Sequence, residues 1–224
     1  MLYKQVSLHQ EKLSSHAMQS PLIIAISGAS GSGKSLFTEN LFNAFSAQGS
    51  SVQILREDHY YRAQDHLPME AREKNNYDHP NAFEHELLKA HLQSLREGKN
   101  IDYPHYCFKT HTRLPETECL QPAPVIILEG IMLLARPELL PLYDVKIFID
   151  TPLDICLMRR MMRDVKQRGR TLESVAKQYE ATVKPMYHQF IEPSRFTADV
   201  VVTQGGKNQI ALDVIKSHIQ QALQ

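Results

Sequence analysis

The sequence predicts an α/β fold: a five-stranded parallel sheet flanked by helices, with a small β-hairpin insertion and a helical lid. Three observations predict it. Short apolar runs at 22–26, 52–55, 125–128, 145–149 and 198–202 alternate with stretches of helical periodicity. The first run leads into Gly28-Ala29-Ser30-Gly31-Ser32-Gly33-Lys34-Ser35, which fits G-x-x-x-x-G-K-[ST] without mismatch. Three later runs end in acids: Asp58 lies just past the second, Glu129 follows the third and Asp150 the fourth.

Each element has a local reason. After the loop, Leu36, Phe37, Leu41, Phe42 and Phe45 repeat with helical spacing, and Gly49 stops that helix. Asn81 can cap a second helix, with Glu84 three residues on, apolar Phe83, Leu87, Leu88 and Leu95, and Gly98 as its stop. Thr151-Pro152 reads as a cap followed by a first-turn proline, opening a helix that runs to Gly169. Thr171 opens another, which should kink or break at Pro185. A last helix spans 210–223. Residues 100–124 interrupt the alternation with Ile101-Asp102-Tyr103, Tyr106-Cys107-Phe108 and three prolines, and read as an inserted antiparallel hairpin.

Bulk properties narrow the classes. The 224 residues are 42% hydrophobic, enough to bury the core of a single domain over 21–224. Lys plus Arg and Asp plus Glu number 25 each, so a general nucleic-acid binder is disfavoured. Three cysteines without metal spacing suit a reducing, cytoplasmic setting. No apolar run approaches the roughly 18 residues of a membrane span. The first 20 residues are polar and mixed and read as a loosely ordered tail.

The glycine-rich loop explains its own residue types. A triphosphate needs several backbone N–H donors close together, glycines allow that approach, and the following helix adds its N-terminal dipole. Lys34 would reach the β- and γ-phosphates, and the Ser35 hydroxyl would bind Mg²⁺. Asp58 could accept a proton from an attacking hydroxyl, or serve as a cap or surface charge. Glu129, after four apolar residues, has the form of a Mg²⁺-holding carboxylate, or is a strand-terminal charge. Arg159, Arg160, Arg163, Lys166, Arg168 and Arg170 crowd the 159–171 segment, opposed by Asp164. They form either a solvated helix face or a lid that neutralises charge on a moving phosphoryl group. Histidines 9, 16, 66, 85, 91, 188 and 218 read as surface residues.

Beyond the loop, Glu57-Asp58-His59-Tyr60-Tyr61, Asn76-Tyr77-Asp78-His79-Pro80, His111-Thr112-Arg113, Arg163-Asp164 through Arg168-Gly169-Arg170, and Gly205-Gly206-Lys207-Asn208 complete a set. With these segments the chain resembles the uridine–cytidine kinases of pyrimidine salvage, the bacterial form most closely, over about residues 20–220. The resemblance implies a P-loop kinase fold. It implies transfer of the γ-phosphoryl of ATP or GTP, with Mg²⁺, to the 5′-hydroxyl of uridine or cytidine. It assigns Asp58 as general base, with Lys34 and Arg163 in catalysis, and Ser35, Glu129 and Asp58 around the metal. Residues 28–35 with Arg168 and Arg170 would hold the donor. Tyr61, Asp78, Tyr106, Phe108, His111, Arg160 and Gln178 would hold the nucleoside, Asp78 through the ribose hydroxyls. A homotetramer inhibited by CTP and UTP is also implied. Cys107 and Gln204 depart from the pattern, Gln204 standing where arginine is expected. The alternatives are a ribulose-phosphate- or pantothenate-type kinase, which needs cationic anchors at its acceptor site, and a non-catalytic nucleotide-binding module. The guanine-reading Asn-Lys-x-Asp motif of regulatory GTPases is absent from the sequence.

Overall fold

The computed structural model describes residues 20–47 and 49–222. The expected tail therefore lies outside the described residues up to position 19, as do His9, His16 and Leu223. The order is β1 (Leu22–Gly28), α1 (Lys34–Ser46), β2 (Val52–Arg56), α2 (Met69–Glu73), α3 (His85–Arg96), β3 (Ile101–Cys107), β4 (Thr112–Leu120), β5 (Val125–Glu129), β6 (Val145–Asp150), α4 (Leu153–Arg168), α5 (Leu172–Gln178), β7 (Val200–Thr203) and α6 (Gln209–Ala222).

Five strands form one parallel sheet in the order β2-β5-β1-β6-β7. β1 is central, and β5 is buried at every position, which is why both read as unbroken apolar runs rather than alternating ones. The pleat sends alternate residues to opposite faces. Ile23, Ala25, Ile126 and Leu128 join α3 and the hairpin in one core. Ile24, Ile26, Val125 and Ile127 join Phe37, Leu41 and Phe45 of α1 and Leu212, Ile215 and Ile219 of α6 in the other. Each fully buried side chain of this size contributes roughly 1.5–3 kcal/mol. The chain leaves β1 toward β2 on one side and later returns to β6 on the other, so a crevice opens at the carboxyl end of β1.

β3 and β4 pair antiparallel as the expected hairpin, with a register shift between Pro104 and Tyr106. Four expectations need correction. The helix expected from Asn81 begins at His85. Asn81 sits instead in a 3₁₀ turn, Pro80–Ala82, where its N–H bonds to His79 Nδ1, and the Glu84 carboxylate turns away to Arg113. The last sheet strand starts at Val200 rather than Ala198. Thr151 does not cap α4: its hydroxyl donates to the Ser32 carbonyl at 2.9 Å. The helix beginning at Leu172 does not break at Pro185. It widens into a π turn, Tyr179–Val183, and again at Tyr187–Ile191 before Pro193, and runs on to Ser194. Two histidines expected at the surface are not there: His85 is buried against Glu57, and His91 is half-buried against the Tyr60 hydroxyl.

Candidate active site

The phosphate loop wraps the start of α1 at the carboxyl end of β1. Its glycines are required by space as well as by backbone conformation. Gly31 takes φ +86, and a Cβ there would lie 2.4 Å from the Cys156 carbonyl oxygen. Gly33 takes φ +98 and lies against Gly205 and Gly206, whose 3₁₀ turn packs on the loop. The Ser32 carbonyl is held by Thr151 and by Arg159 Nη1 at 3.3 Å. First-turn N–H groups of a helix have no intrahelical partner and favour an anion.

Lys34 and Ser35 converge on one carboxylate. Ser35 Oγ donates to Glu129 Oε1 at 3.0 Å, and Lys34 Nζ lies 3.7 Å from the same oxygen. Arg56, at the end of β2, donates to Glu129 Oε2 at 2.9 Å. Asp58 follows in the 3₁₀ turn after β2, partly buried. Burial, with the Glu129 charge beside it, pushes its carboxyl up from 3.8 to about 6 against the opposing pull of Lys34. The neighbouring Glu57 is fully committed: Oε1 meets His85 Nε2 at 2.7 Å, and Oε2 accepts the Met132 N–H at 2.8 Å.

Rings cluster beside Asp58. Tyr61 stacks on Phe83, meets Tyr77 edgewise and Tyr106 at a tilt, and donates its hydroxyl to the Tyr77 carbonyl at 3.1 Å. Tyr106 packs on Phe108, and Tyr77 on His111. His111 has φ +50 at the hairpin tip, and burial together with the cationic field of Arg170, Arg168 and Arg72 lowers its pKa, keeping the imidazole neutral. Asp78 is 5% exposed, and burial raises its pKa while Arg160, 3.7 Å away, opposes the rise.

The arginine segment ends α4, and Gly169 reverses the chain at φ +66. Arg168 lies over the Phe108 ring, 4.6 Å from its centroid, so the arginine segment and the hairpin touch. The Gln178 side-chain oxygen accepts from Arg160 at 3.1 Å and from Arg170. Gln204 is exposed, with φ +65.

The structure thus brings the predicted residues to one crevice. The sequence reading missed Arg56, Thr151 and the convergence of arginines on Asp164. No local signal marks Arg56 or Thr151, whose partners lie 73 and 119 positions away. Asp164 carried one: a single acid inside an arginine run.

Residues 23–211 match the Phosphoribulokinase / Uridine kinase family. The chain belongs to that family. It is 52% identical over 204 residues to the uridine kinase of Vibrio vulnificus, covering 90% of this chain and 96% of that one. It is 52% identical over 207 residues to the uridine kinase of Shewanella amazonensis, covering 92% and 98%. Among solved structures, D-glycerate 3-kinase from Cryptococcus neoformans superimposes with a TM-score of 0.57 at 18% identity, over 84% of this chain and 85% of that one, a likeness of fold. Family membership accounts for the α/β kinase architecture and the phosphate loop together. No helix among the described residues is long and apolar enough to cross a membrane.

Proposed function

We propose that this protein is a nucleoside kinase that moves the γ-phosphoryl of ATP or GTP to the 5′-hydroxyl of uridine or cytidine, giving UMP or CMP. The observation that supports it is that the Asp58 carboxylate neighbours Lys34 and Glu129 at the phosphate loop and also Tyr61, which in turn neighbours the buried Asp78. A flat, neutral base suits Tyr61, Tyr106, Phe108 and His111.

The 5′-oxygen attacks the γ-phosphorus, its proton passes to Asp58, and the bond to the β-bridging oxygen breaks to release the diphosphate. Asp58 suits this step because a base is best matched to its task when its pKa lies near the working pH. Lys34 and the lid arginines Arg163, Arg168 and Arg170 meet the phosphate charge, which phosphoryl transfer depends on most. Ser35, Glu129 and Asp58 supply hard oxygen donors beside the loop. That set fits Mg²⁺, which takes one or two protein ligands and draws the rest from phosphates and water. Bound there, the ion would neutralise charge shared by the β- and γ-phosphates. Asp78 would take the vicinal ribose hydroxyls, and Arg160 and Gln178 would brace it. Neutral His111 can donate or accept according to tautomer, so one residue serves both the uracil and the cytosine edge. We extend the reading to a cytoplasmic homotetramer inhibited by CTP and UTP, as the family resemblance implies.

The test is release of ADP or GDP with Mg²⁺, each donor in turn, and uridine, cytidine, deoxyuridine or ribulose 5-phosphate. Turnover with the two ribonucleosides and little with deoxyuridine is expected. Turnover with ribulose 5-phosphate alone would replace the reading with the other branch of the family.

A further inference from the structure

Asp164 is completely buried and has no task in the scheme above. It lies in the last turns of α4, and its carboxylate gathers four guanidiniums. Arg163 Nε donates to Oδ1 at 2.9 Å, Arg168 Nη1 stands 3.5 Å from Oδ1, and Arg170 Nη1 and Arg160 Nε each stand 3.7 Å from Oδ2. Its main-chain carbonyl accepts the N–H groups of Gly169 and Arg170, so one residue holds both the side chains and the turn of the arginine segment.

The charge balance is informative. Four cations around Asp164, one of them also 3.7 Å from Asp78, leave an excess of two positive charges. Without the anion the guanidiniums would repel one another apart. With it they stay splayed but unneutralised, the state needed to receive a polyphosphate. A second observation shows that the cluster is one bond short. Arg160 Nε and Asp164 Oδ2 are both buried, neither has a hydrogen-bond partner, and they face each other at 3.7 Å. A normal N–H···O bond is about 2.9 Å, so a shift under about 1 Å would complete it. Arg160 also stands 3.7 Å from Asp78, on the acceptor side.

We propose that Asp164 is a positioning residue: it fans Arg163, Arg168 and Arg170 toward the donor phosphates, and the missing Arg160 bond forms as the lid closes on them. The proposal rests on reading these arginines as the donor lid. The competing view is a helix-end ion cluster that serves stability alone.

Binding of ADP and of a non-hydrolysable ATP analogue, with Mg²⁺ and no nucleoside, separates the two views by calorimetry on wild type, Asp164→Asn and Asp164→Glu. Wild type should favour the triphosphate. In folded Asp164→Asn that preference should fall by about tenfold or more, the scale of a lost charge-assisted hydrogen bond. Uridine binding without donor should move less than the donor preference. Should Asp164→Asn not fold, Asp164→Glu carries the test: it keeps the charge and displaces it by one methylene. A folded variant with wild-type triphosphate preference and turnover overturns the proposal, as does loss of fold in both variants, which would place Asp164 in stability alone. Because the binding assay needs no acceptor, absence of uridine turnover in wild type would count against the kinase reading and leave this proposal to be decided separately.

Discussion

The acid limb of the pH profile is the most direct probe of Asp58. Its carboxyl is raised from 3.8 to about 6, first by burial and then by Glu129. A general base works only when deprotonated, so kcat/KM for the nucleoside, which reports the free enzyme, should be flat above about pH 7 and fall below about 6. At pH 5 about one molecule in eleven would hold the free carboxylate, so the rate should stand near one-tenth of the plateau. The assay is initial-rate diphosphate release from pH 5 to 8 with Mg²⁺ present and donor held well below saturation, with Asp58→Asn beside wild type. The variant should lose about 10²–10⁴ in rate and lose the limb as well. The same group also affects stability. The folded protein holds this proton more tightly than the unfolded chain, so Asp58 favours folding fully below pH 3.8, and that contribution is lost as pH rises through about 6. Above pH 7 the ionised carboxylate therefore costs about 1–3 kcal/mol. Asp58→Asn should melt several degrees above wild type at pH 8, the gap closing below about pH 4. A variant that keeps the acid limb, or retains more than about a tenth of the plateau rate, would refute the assignment of the base.

Three further substitutions test other contacts. Gly31→Ala puts a Cβ 2.4 Å from the Cys156 carbonyl at a positive φ, and should abolish donor binding by calorimetry while circular dichroism still reports folded protein. Asp78→Asn should narrow the preference for uridine over deoxyuridine from as much as about 10⁴ to about 10-fold or less, read as a ratio of kcat/KM. Thr151→Val removes the hydroxyl that holds the Ser32 carbonyl. It should raise donor KM several-fold and cost about 1 kcal/mol in urea unfolding, with uridine KM unchanged.

The legible part of this protein is the part encoded locally. The phosphate loop announces itself because glycine spacing, the preceding apolar strand and the following helix lie within about 25 residues. The five strands were readable because buried parallel strands are continuous apolar runs. Errors arose where one side chain had two physically sound uses. Thr151 can cap a helix or tie a loop, and the choice depends on Ser32, which only the folded sheet brings near. Glu84 can close a capping box or pair with Arg113 near the tip of the hairpin, and it does the latter. His85 looked like any polar helix residue until Glu57 met it at 2.7 Å in the interior.

Of the kink or break expected at Pro185, the break does not occur, and the reason bears on the site. Pro185 lacks the N–H that continues an α-helix, and its ring crowds the preceding turn. The chain resolves both by widening first. The Lys184 N–H reaches back five residues to the Tyr179 carbonyl, and the Glu192 N–H does the same to Tyr187, each one residue before a proline. A break at Pro185 would have freed the segment after it. The widened turns instead keep the helix continuous, seating Val183 and Ile191 in the interior and fixing its first turns from behind. Gln178 stands at the last position before the first widening, where its side-chain oxygen binds Arg160 and Arg170. Those two arginines are thus held from α4 by Asp164 and from the next helix by Gln178. π turns are frequent at functional sites, and here one follows directly on the residue that binds Arg160 and Arg170.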